Sequence, residues 1–426
     1  MEPSASAGPF GQVQEAGSVR RNSPRILLIG YNGANNLGSE ARLIAVIEDL
    51  RAVLGPSASI TVPTLSVAKQ SRYLKESADL HLVPFSTRSV VKLARLVWHH
   101  DIVLLVEGSC YMDTWSSALL LAYLWVTKCA GAMHKPCLAY SVDSGQLTRA
   151  NQKRVRREAS KTALIITRTQ AAADRLRSWG VTAPMEVTAD SAFSLCVNAA
   201  EDTPESRIWS DPSGMVGMAL VDFSRWPVVF RPWGRSSDCY RWPFYFSSSP
   251  ERLRASDELA NRYAAEADHI AADHDRRVAL LCMEELDTPL AKSVHHRMMR
   301  KDRARVFSSS QYSLFEMMAI LRGLDALVSS RYHACVLAMP AGVPMVAVGH
   351  DLRIHDLFRE LNLRDEFFIA HDCADKWTRL DQCIDRLLSD PEPTKRAILR
   401  GYNLLRERAM RNRRILKCFL ESAGRR

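Results

Sequence analysis

The sequence predicts an α/β fold made of two Rossmann-like domains that face each other across a cleft. Short apolar segments of strand type alternate with segments of helical periodicity in both halves of the chain, a pattern typical of parallel sheets covered on both faces by helices. The alternation is interrupted at residues 198–214, which are acidic, contain Pro and Ser and lack an apolar period. The length of 426 residues also favours two domains over one.

The predicted elements follow one another in a regular order. In the N-terminal domain, residues 25–197, the predicted strands are 25–30, 59–65, 81–86, 101–108, 136–142, 163–169 and 185–190, and the helices between them are 39–55, 88–99, 116–130, 149–160 and 170–180. In the C-terminal domain, residues 215–393, the predicted strands are 215–223, 277–283, 305–309, 325–330 and 344–350, and the helices are 250–272, 288–300, 313–322 and 332–341. Ligands of such sheets bind at the carboxyl ends of the strands.

The N-terminal residues, the cysteines and the most apolar segment limit the class of protein. Residues 1–24 are small and polar, do not resemble a signal peptide and are expected to be a disordered leader. The ten cysteines are scattered without a CxxC pair or zinc spacing, which predicts reduced thiols and a cytoplasmic location. The most apolar segment, 118–127, is too short for a membrane span, which needs roughly 20 residues.

The C-terminal segment carries most of the net charge of +10. Residues 394–426 contain eleven Lys and Arg against two Glu, and their apolar residues are partly spaced as in a helix. We expect a basic amphipathic helix that straps the two domains. It either docks by its apolar side alone or also attracts a polyanion, which is the inner face of the cytoplasmic membrane or a polyanionic substrate. No nucleic-acid partner is expected, because no recognisable nucleic-acid module accompanies the charge.

The first loop whose residues could bind a ligand is GYNGANNLGSE, between the first strand and the first helix. Gly33 allows positive φ, Asn35 and Asn36 can bind a ligand or stabilise the turn, and Ser39 is expected to cap the helix. Helix N-terminal amides favour anions. The loop is neither a Walker A loop nor GxGxxG, so it is read either as a ligand loop or as a connecting turn. Glu40 is either a partner of the helix dipole or an acceptor-site carboxylate.

The second loop is SSRYHA, at the carboxyl end of the strand 325–330. Arg331 offers a planar fork for a carboxylate or phosphate, and His333 can carry a proton near neutral pH. The next strand ends in His350, and Arg353 follows shortly afterwards. Neighbouring strand ends thus carry polar groups, and we expect them to line the cleft.

Three stretches together resemble the polysaccharide pyruvyl transferase family. They are GYNGANNLGSEARL, the segment 165–195 with IITRTQAAADRLRSWGV and VTADSAFSL, and DALVSSRYHACVLAMPAGVPMVAVGHDLRIHDLF. The resemblance implies a fold like that of the two-domain GT-B glycosyltransferases. It also implies transfer of the enolpyruvyl unit of phosphoenolpyruvate onto a sugar of a surface polysaccharide or of its lipid-linked precursor, giving a pyruvate ketal.

The resemblance also assigns residues. Arg331 matches the Arg that holds phosphoenolpyruvate, and His333 matches the residue expected to be the acid. Ser39 and Arg353 stand where the family usually has Asp and Lys. A further donor-site Arg is expected from Arg225 or Arg231. The implied donor set is Arg331, Arg231, Arg225, Arg353 and His350, and the implied acceptor set is Gly33, Asn35, Asn36, Glu107 and Asp190.

The chemistry expected from these residues is acid catalysis. His333 protonates the methylene carbon of phosphoenolpyruvate, Arg331 neutralises the donor's negative charge, and Glu40 or Glu107 accepts the proton of the acceptor hydroxyl. No metal and no cofactor are expected, since no metal-ligand spacing is visible and no step requires one.

Two other functions remain open from the sequence. One is a glycosyltransferase that uses a nucleotide sugar, with a ribose-binding carboxylate among Glu284, Glu285 and Asp287. The other is a non-catalytic relative that binds glycan. The aromatic residues within 225–248 either stack on a sugar or lipid carrier or pack over the interdomain linker.

Overall fold

The computed structural model describes residues 24–85, 90–114, 116–195, 214–226, 228–231, 233–241, 244–349 and 352–423. Apart from Pro24 and Gly214, the predicted leader 1–24 and the predicted linker 198–214 lie outside the described residues. Those two predictions therefore stay predictions.

The N-terminal half of the described chain is built on a parallel sheet in the order β3-β2-β1-β4-β5-β6-β7. Its strands are β1 Ile26–Ile29, β2 Ile60–Thr64, β3 Leu80–Pro84, β4 Ile102–Leu105, β5 Cys137–Val142, β6 Leu164–Thr167 and β7 Met185–Val187. The helices of this half are α1 Leu37–Leu54, α2 Val67–Gln70, α3 Val90–His99, α4 Ser117–Ala132, α5 Arg149–Ala159 and α6 Gln170–Ser178. The order reverses after β1, so the loop from β1 to α1 lies at the switch point where ligands of such sheets bind.

The C-terminal half is built on a second parallel sheet in the order β13-β12-β8-β14-β15-β16. Its strands are β8 Met215–Ala219, β12 Arg277–Cys282, β13 Ala304–Ser308, β14 Ala326–Ser329, β15 Met345–Gly349 and β16 Phe368–Ala370. Its helices are α7 Pro250–Ala272, α8 Thr288–Arg297, α9 Leu314–Arg322, α10 Tyr332–Ala338, α11 Leu352–Glu360, α12 Arg364–Phe367 and α13 Lys376–Ser389. Central strands such as β8 and β14 are buried along their whole length, which explains why they read as continuous apolar runs.

The aromatic insertion between β8 and α7 forms a small sheet of its own. Strands β9 Val229–Phe230, β10 Cys239–Arg241 and β11 Phe244–Tyr245 pair antiparallel in the order β10-β11-β9. Trp226 packs edge-on against Tyr240 and Phe246, with ring centroids 5.5 and 5.2 Å away. The aromatic residues therefore form a compact unit, and this sheet is an element that the sequence pattern did not predict.

The last helix, α14 Glu392–Ala423, runs along both halves of the molecule. Asn412 is buried; its side chain accepts from the Thr188 hydroxyl at 2.6 Å and donates to the Ala189 carbonyl at 3.1 Å. Arg408 donates to the Thr188 carbonyl and, at 3.0 Å, to Glu360 of the C-terminal half. The helix therefore straps the two halves, as predicted.

Two further features bear on the setting of the protein. None of the helices in the described ranges is long and apolar enough to cross a membrane. Every cysteine that the structure describes is a free thiol.

Candidate functional site

The two predicted loops meet between the halves. The first turn of α1 lies directly against the start of α10. A Cβ atom on Gly38 would lie only 2.0 Å from Nδ1 of His333, so only glycine leaves room for the imidazole there. The Leu37 amide donates to the carbonyl of Met283 at 2.9 Å, which joins the same turn to the C-terminal half.

A small pocket opens at this junction, and we call it the cleft pocket. Both halves contribute side chains to it. Its lining includes Tyr31, Asn36, Gly38, Ser39, Glu107, Ser109, Leu119, Trp226, Tyr240, Met283, Glu284, Ser330, Arg331, Tyr332, His333 and Arg353. Five residues predicted from separate stretches of sequence, Asn36, Glu107, Arg331, His333 and Arg353, thus come together in one place.

His333 is mostly buried, with 14% of its side chain exposed. Its Nε2 lies 3.4 Å from Oδ2 of Asp190 in the N-terminal half. Burial lowers the pKa of His333 below its ordinary value; the Asp190 carboxylate opposes this shift, and the cations Arg168 and Arg42 add to it. The neutral imidazole is therefore favoured, and added negative charge beside it would raise its pKa.

Asp190 is the centre of a buried charge cluster. Its carboxylate binds the Arg168 guanidinium and lies 3.5 Å from Nε of Arg42, while the Ala192 amide donates to it at 2.9 Å. Burial alone would raise the pKa of Asp190, but Arg168 and Arg42 hold it well below its usual range. Asp190 is therefore an anion that faces His333, with two buried arginines behind it.

Arg331 is held by two carboxylates of its own half. Its Nε donates to Oδ2 of Asp287 at 3.0 Å, and its Nη1 lies 3.3 Å from Oε2 of Glu284. Burial raises the pKa of both carboxyl groups, and the positive charge of Arg331 only partly offsets it. These carboxyl groups therefore take up protons more readily than ordinary ones.

The two candidate base carboxylates have different surroundings. Glu107 lines the cleft pocket and accepts from Ser39 Oγ at 3.0 Å. Burial would raise the pKa of Glu107, but Arg42 and the Ser39 hydrogen bond bring it below its usual value. Glu40 is fully buried, accepts from Gln70 Nε2 at 2.6 Å, and has its pKa raised to about 7 by burial. Only Glu107 is exposed to the cleft pocket.

The other residues of the first loop have structural partners. Asn36, not Ser39, caps α1: its side chain accepts from the Gly38 and Ser39 amides, and it also donates to Glu284 at 3.1 Å. The prediction of Ser39 as the cap was wrong, because the helix begins two residues earlier. Gly33 has φ +74 and no room for a Cβ beside Thr64. Asn35 has φ 51, and its side chain accepts from Arg72.

Comparison with known proteins assigns this site to a family. The model of the polysaccharide pyruvyl transferase family matches residues 36–351. The chain belongs to this family. It is therefore a transferase enzyme, and the resemblance inferred from the motifs is confirmed. A search of curated proteins found no match to the chain.

Solved structures show where the fold of this family member recurs. A UDP-N-acetylglucosamine 2-epimerase matches with a TM-score of 0.60 at 12% identity, over 95% of this chain and 97% of that chain. The UDP-GlcNAc 2-epimerase of Neisseria meningitidis matches with 0.56 at 9% identity, over 91% and 100%. A glycosyltransferase of Rickettsia africae matches with 0.52 at 13% identity, over 94% and 99%. At such identities the likeness shows the fold alone, which is the predicted GT-B-like one.

Not all predicted donor residues of this transferase reach the cleft pocket. Arg225 binds Asp238 at 3.1 Å, and Arg231 lies over the Tyr245 ring at 5.0 Å; both stay within the aromatic insertion. Arg353, at the start of α11, lines the cleft pocket with Arg331. His350 lies outside the described residues.

A possible metal-binding group lies elsewhere on this pyruvyl transferase family member. Ligand atoms of His269, His274 and Asp385 lie within 4.8 Å of one another. His269 is at the end of α7, so this group sits near the amino ends of the strands, opposite the cleft. Both histidines hydrogen-bond to the Asp385 carboxylate, at 3.0 and 2.8 Å, which accounts for their proximity without a metal ion.

Some site residues of this transferase were not assigned from sequence, and Glu284 and Asp287 were named only as ribose ligands of the glycosyltransferase alternative. Arg42 stands within the apolar stretch that follows Glu40, and a charge inside a buried helix face was a usable signal. Glu284 and Asp287 follow β12 at the same sheet edge as Arg331, which could have suggested that they bind it. The requirement for Gly38 depends on the contact between the halves, and no local pattern predicts it.

Proposed function

We propose that this enzyme transfers the pyruvyl unit of phosphoenolpyruvate to a sugar hydroxyl, with His333 as the proton donor. One observation carries the proposal: a titratable imidazole, two arginines and an ionised carboxylate line a single pocket between the halves. These are His333, Arg331 with Arg353, and Glu107. The reaction needs an acid, a binding site for a small anion and a base, and these residue types can supply all three.

The donor end of the proposed site is Arg331 with Arg353. A guanidinium binds carboxylate or phosphate through two parallel hydrogen bonds. In the unliganded protein Arg331 binds Asp287 and Glu284. Since burial raises the pKa of both carboxyl groups, protonation of either one releases part of the guanidinium for the donor. We therefore expect donor binding to be accompanied by proton uptake.

The first chemical step is proton transfer from His333 to the methylene carbon of the donor. The carbon that bears the phosphate then becomes an oxocarbenium-like electrophile. The negative charge of the bound donor raises the pKa of His333, so the protonated imidazole accumulates in the complex although it is disfavoured in the free protein. A well-placed general acid contributes roughly 10²–10⁴-fold to the rate.

The second step is attack by the acceptor. A sugar hydroxyl oxygen bonds to the electrophilic carbon, and its proton passes to Glu107, which the neighbouring Arg42 keeps ionised. Phosphate leaves with the electrons of its carbon–oxygen bond. A second hydroxyl of the same sugar then attacks this carbon, passes its proton to the departing phosphate and closes a cyclic pyruvate ketal. Glu107 and Ser39 lie on the N-terminal side of the cleft pocket, where we place the acceptor.

The alternative with a nucleotide-sugar donor has less support. Two of its three candidate ribose ligands, Glu284 and Asp287, bind Arg331. The third, Glu285, is half exposed and pairs with Lys69. The non-catalytic alternative leaves the acid, cations and base of the cleft pocket without a use.

The experiment measures phosphate release from phosphoenolpyruvate in the presence of candidate sugar acceptors. His333→Asn should lower kcat by about 10²-fold or more. The matched control is His296→Asn, because His296 is an exposed histidine of α8. Wild-type turnover in His333→Asn would refute the acid role. Calorimetric titration with phosphoenolpyruvate and with nucleotide sugars separates the donor classes, since tight binding of a nucleotide sugar alone would favour the alternative.

The C-terminal helix α14 presents a charged face to solvent. Its outward face carries exposed cations, among them Arg396, Arg400 and Arg414. We propose that this face contacts the anionic inner surface of the cytoplasmic membrane, as expected from its charge.

A further inference from the structure

A larger pocket of about 490 Å³ adjoins the cleft pocket, and we call it the α4 pocket because this helix forms much of its wall. Its lining is mostly aliphatic and aromatic, with contributions from α3, α4 and the aromatic insertion. Representative residues are Leu65, Phe85, Leu93, Leu121, Trp125 and Phe244. Tyr31, Leu119 and Tyr240 line both pockets, so the two spaces share a wall.

The α4 pocket extends from the cleft pocket along helix α4. Leu119, which it shares with the cleft pocket, lies near the start of α4, and Lys128 lies near its end. Nine residues of helix span about 14 Å. Lys128 lines this far end, and Arg154 and Arg157 of the neighbouring α5 also line the pocket. Glu158 is the one carboxylate among the lining residues that the structure describes, and Arg157 and Lys161 neutralise it.

Exposed apolar side chains occur on α4 and on α3, which packs against it. Leu121 on α4 is 43% exposed, and on the neighbouring α3 Val91 is 81% and Trp98 64% exposed. Val91 and Trp98 are seven residues apart and thus share one face of α3. Exposed apolar groups beside cations are typical of surfaces that dip into the interface of an anionic membrane.

We infer that the α4 pocket holds the apolar chain of a lipid-linked acceptor sugar, and that Lys128, Arg154 and Arg157 contact phosphates of the membrane headgroups where this chain leaves the protein. The inference rests on the proposed function, which puts the acceptor sugar in the cleft pocket. The distance decides what the cations bind. The carrier's own phosphate is attached to the sugar and stays near the cleft, whereas Lys128 lies about 14 Å further along α4. An apolar chain fits the apolar wall between them.

The first test is equilibrium binding of farnesyl phosphate, measured by calorimetry without phosphoenolpyruvate. Ala122→Trp fills the α4 pocket and should weaken binding by roughly tenfold or more, the loss expected when two or more methylene groups stay in water. Leu121→Glu is a second variant at a half-exposed position that tolerates substitution. Met410→Trp, on the exposed face of α14 and outside the α4 pocket, is the control and should bind as the wild type does. Equal affinity in all four proteins would overturn the inference.

The second test is co-sedimentation with vesicles. Wild-type protein should bind vesicles of phosphatidylcholine and phosphatidylglycerol more strongly than vesicles of phosphatidylcholine alone. Arg154→Gln combined with Arg157→Gln should weaken this preference, and Lys292→Gln combined with Lys301→Gln, at two exposed cations of the C-terminal half, should not. If the variant with Arg154→Gln and Arg157→Gln binds both kinds of vesicle as the wild type does, the inference is wrong. Neither test depends on pyruvyl transfer, so a failure of the proposed function is seen separately, as loss of phosphoenolpyruvate turnover.

Discussion

Gly38→Ala tests whether the contact between α1 and His333 controls catalysis. The added methyl carbon would lie 2.0 Å from Nδ1 and 2.4 Å from Cγ of His333. Because comfortable contacts between heavy atoms begin at about 3.5 Å, the ring must move by roughly 1.5 Å. Misplacement of a reacting group by about 1 Å costs on the order of 10²-fold in rate. We therefore expect kcat for phosphate release to fall about 10²-fold.

The control is another helical glycine. Gly131, in the last turn of α4, has only ordinary contacts for an added Cβ, the nearest 3.4 Å away on the Lys161 side chain. Gly131→Ala should keep its activity and gain slightly in stability, since alanine is the better helix former by about 1 kcal/mol. Circular dichroism and thermal unfolding check that both variants fold.

A double-mutant cycle makes the reasoning refutable. If Gly38→Ala acts only through His333, it should cost almost nothing further in the His333→Asn background. Full additivity of the two losses would mean that Gly38 acts through another group. Wild-type kcat in the single Gly38→Ala variant would refute the proposed role of His333 or its position in the working enzyme.

Four further predictions concern the carboxylates, the imidazole and the strap. Glu107→Gln should lower kcat for phosphate release by about 10²-fold or more, whereas Glu40→Gln should keep most of the activity. Since burial raises the pKa of Glu40 from an ordinary value of 4.5 to about 7 in the folded state, the folded protein binds more protons between these pH values and loses stability as pH rises through them. In urea denaturation, the free energy of unfolding should therefore fall less with rising pH in Glu40→Gln than in the wild type. The difference between the two proteins is at most about 3 kcal/mol. Because the pKa of His333 is lowered from 6.5, kcat/KM should fall as pH rises through a value below 6.5 in a pH–rate profile. Asn412→Ala removes two buried hydrogen bonds, to Thr188 and Ala189, and should lower the free energy of unfolding by about 1–3 kcal/mol in urea denaturation.

Much of the donor side of the site was predictable from sequence. A short apolar strand followed by Arg331, Tyr332 and His333 at a helix start puts these residues at the carboxyl edge of a parallel sheet. The same argument brings Arg353 to the neighbouring strand end, since β14 and β15 pair. Periodicity and parallel topology suffice for this level of detail.

The choice between Glu40 and Glu107 was not predictable, because it depends on helix phase. Each helical residue rotates the side chain by about 100°. The helix was expected to start at Ser39, but Asn36 caps it and Leu37 begins it, which directs Glu40 to Gln70 rather than to the cleft. A shift of two residues thus decides which carboxylate faces the acceptor.

The pairing of Arg331 with Glu284 and Asp287 lay beyond sequence for another reason. These residues follow different strands, and their contact depends on side-chain rotamers in a crowded pocket. Sequence could place them at one edge of the sheet but could not say that they bind each other rather than a ribose. The small sheet of the aromatic insertion, with strands of two or three residues, was likewise too short to be detected by periodicity.

The position of Asp190 links the strap to the chemistry. Asn412 and Arg408 of α14 bind Thr188 and Ala189, immediately before Asp190. Asp190 in turn faces His333 across the cleft, and its charge partly offsets the effect of burial on the imidazole pKa. Because Arg408 also binds Glu360 of the C-terminal half, the strap holds both sides of this contact in register. A loosened strap should therefore change the pKa of the acid as well as the stability of the fold, which distinguishes a positioning role from a purely structural one.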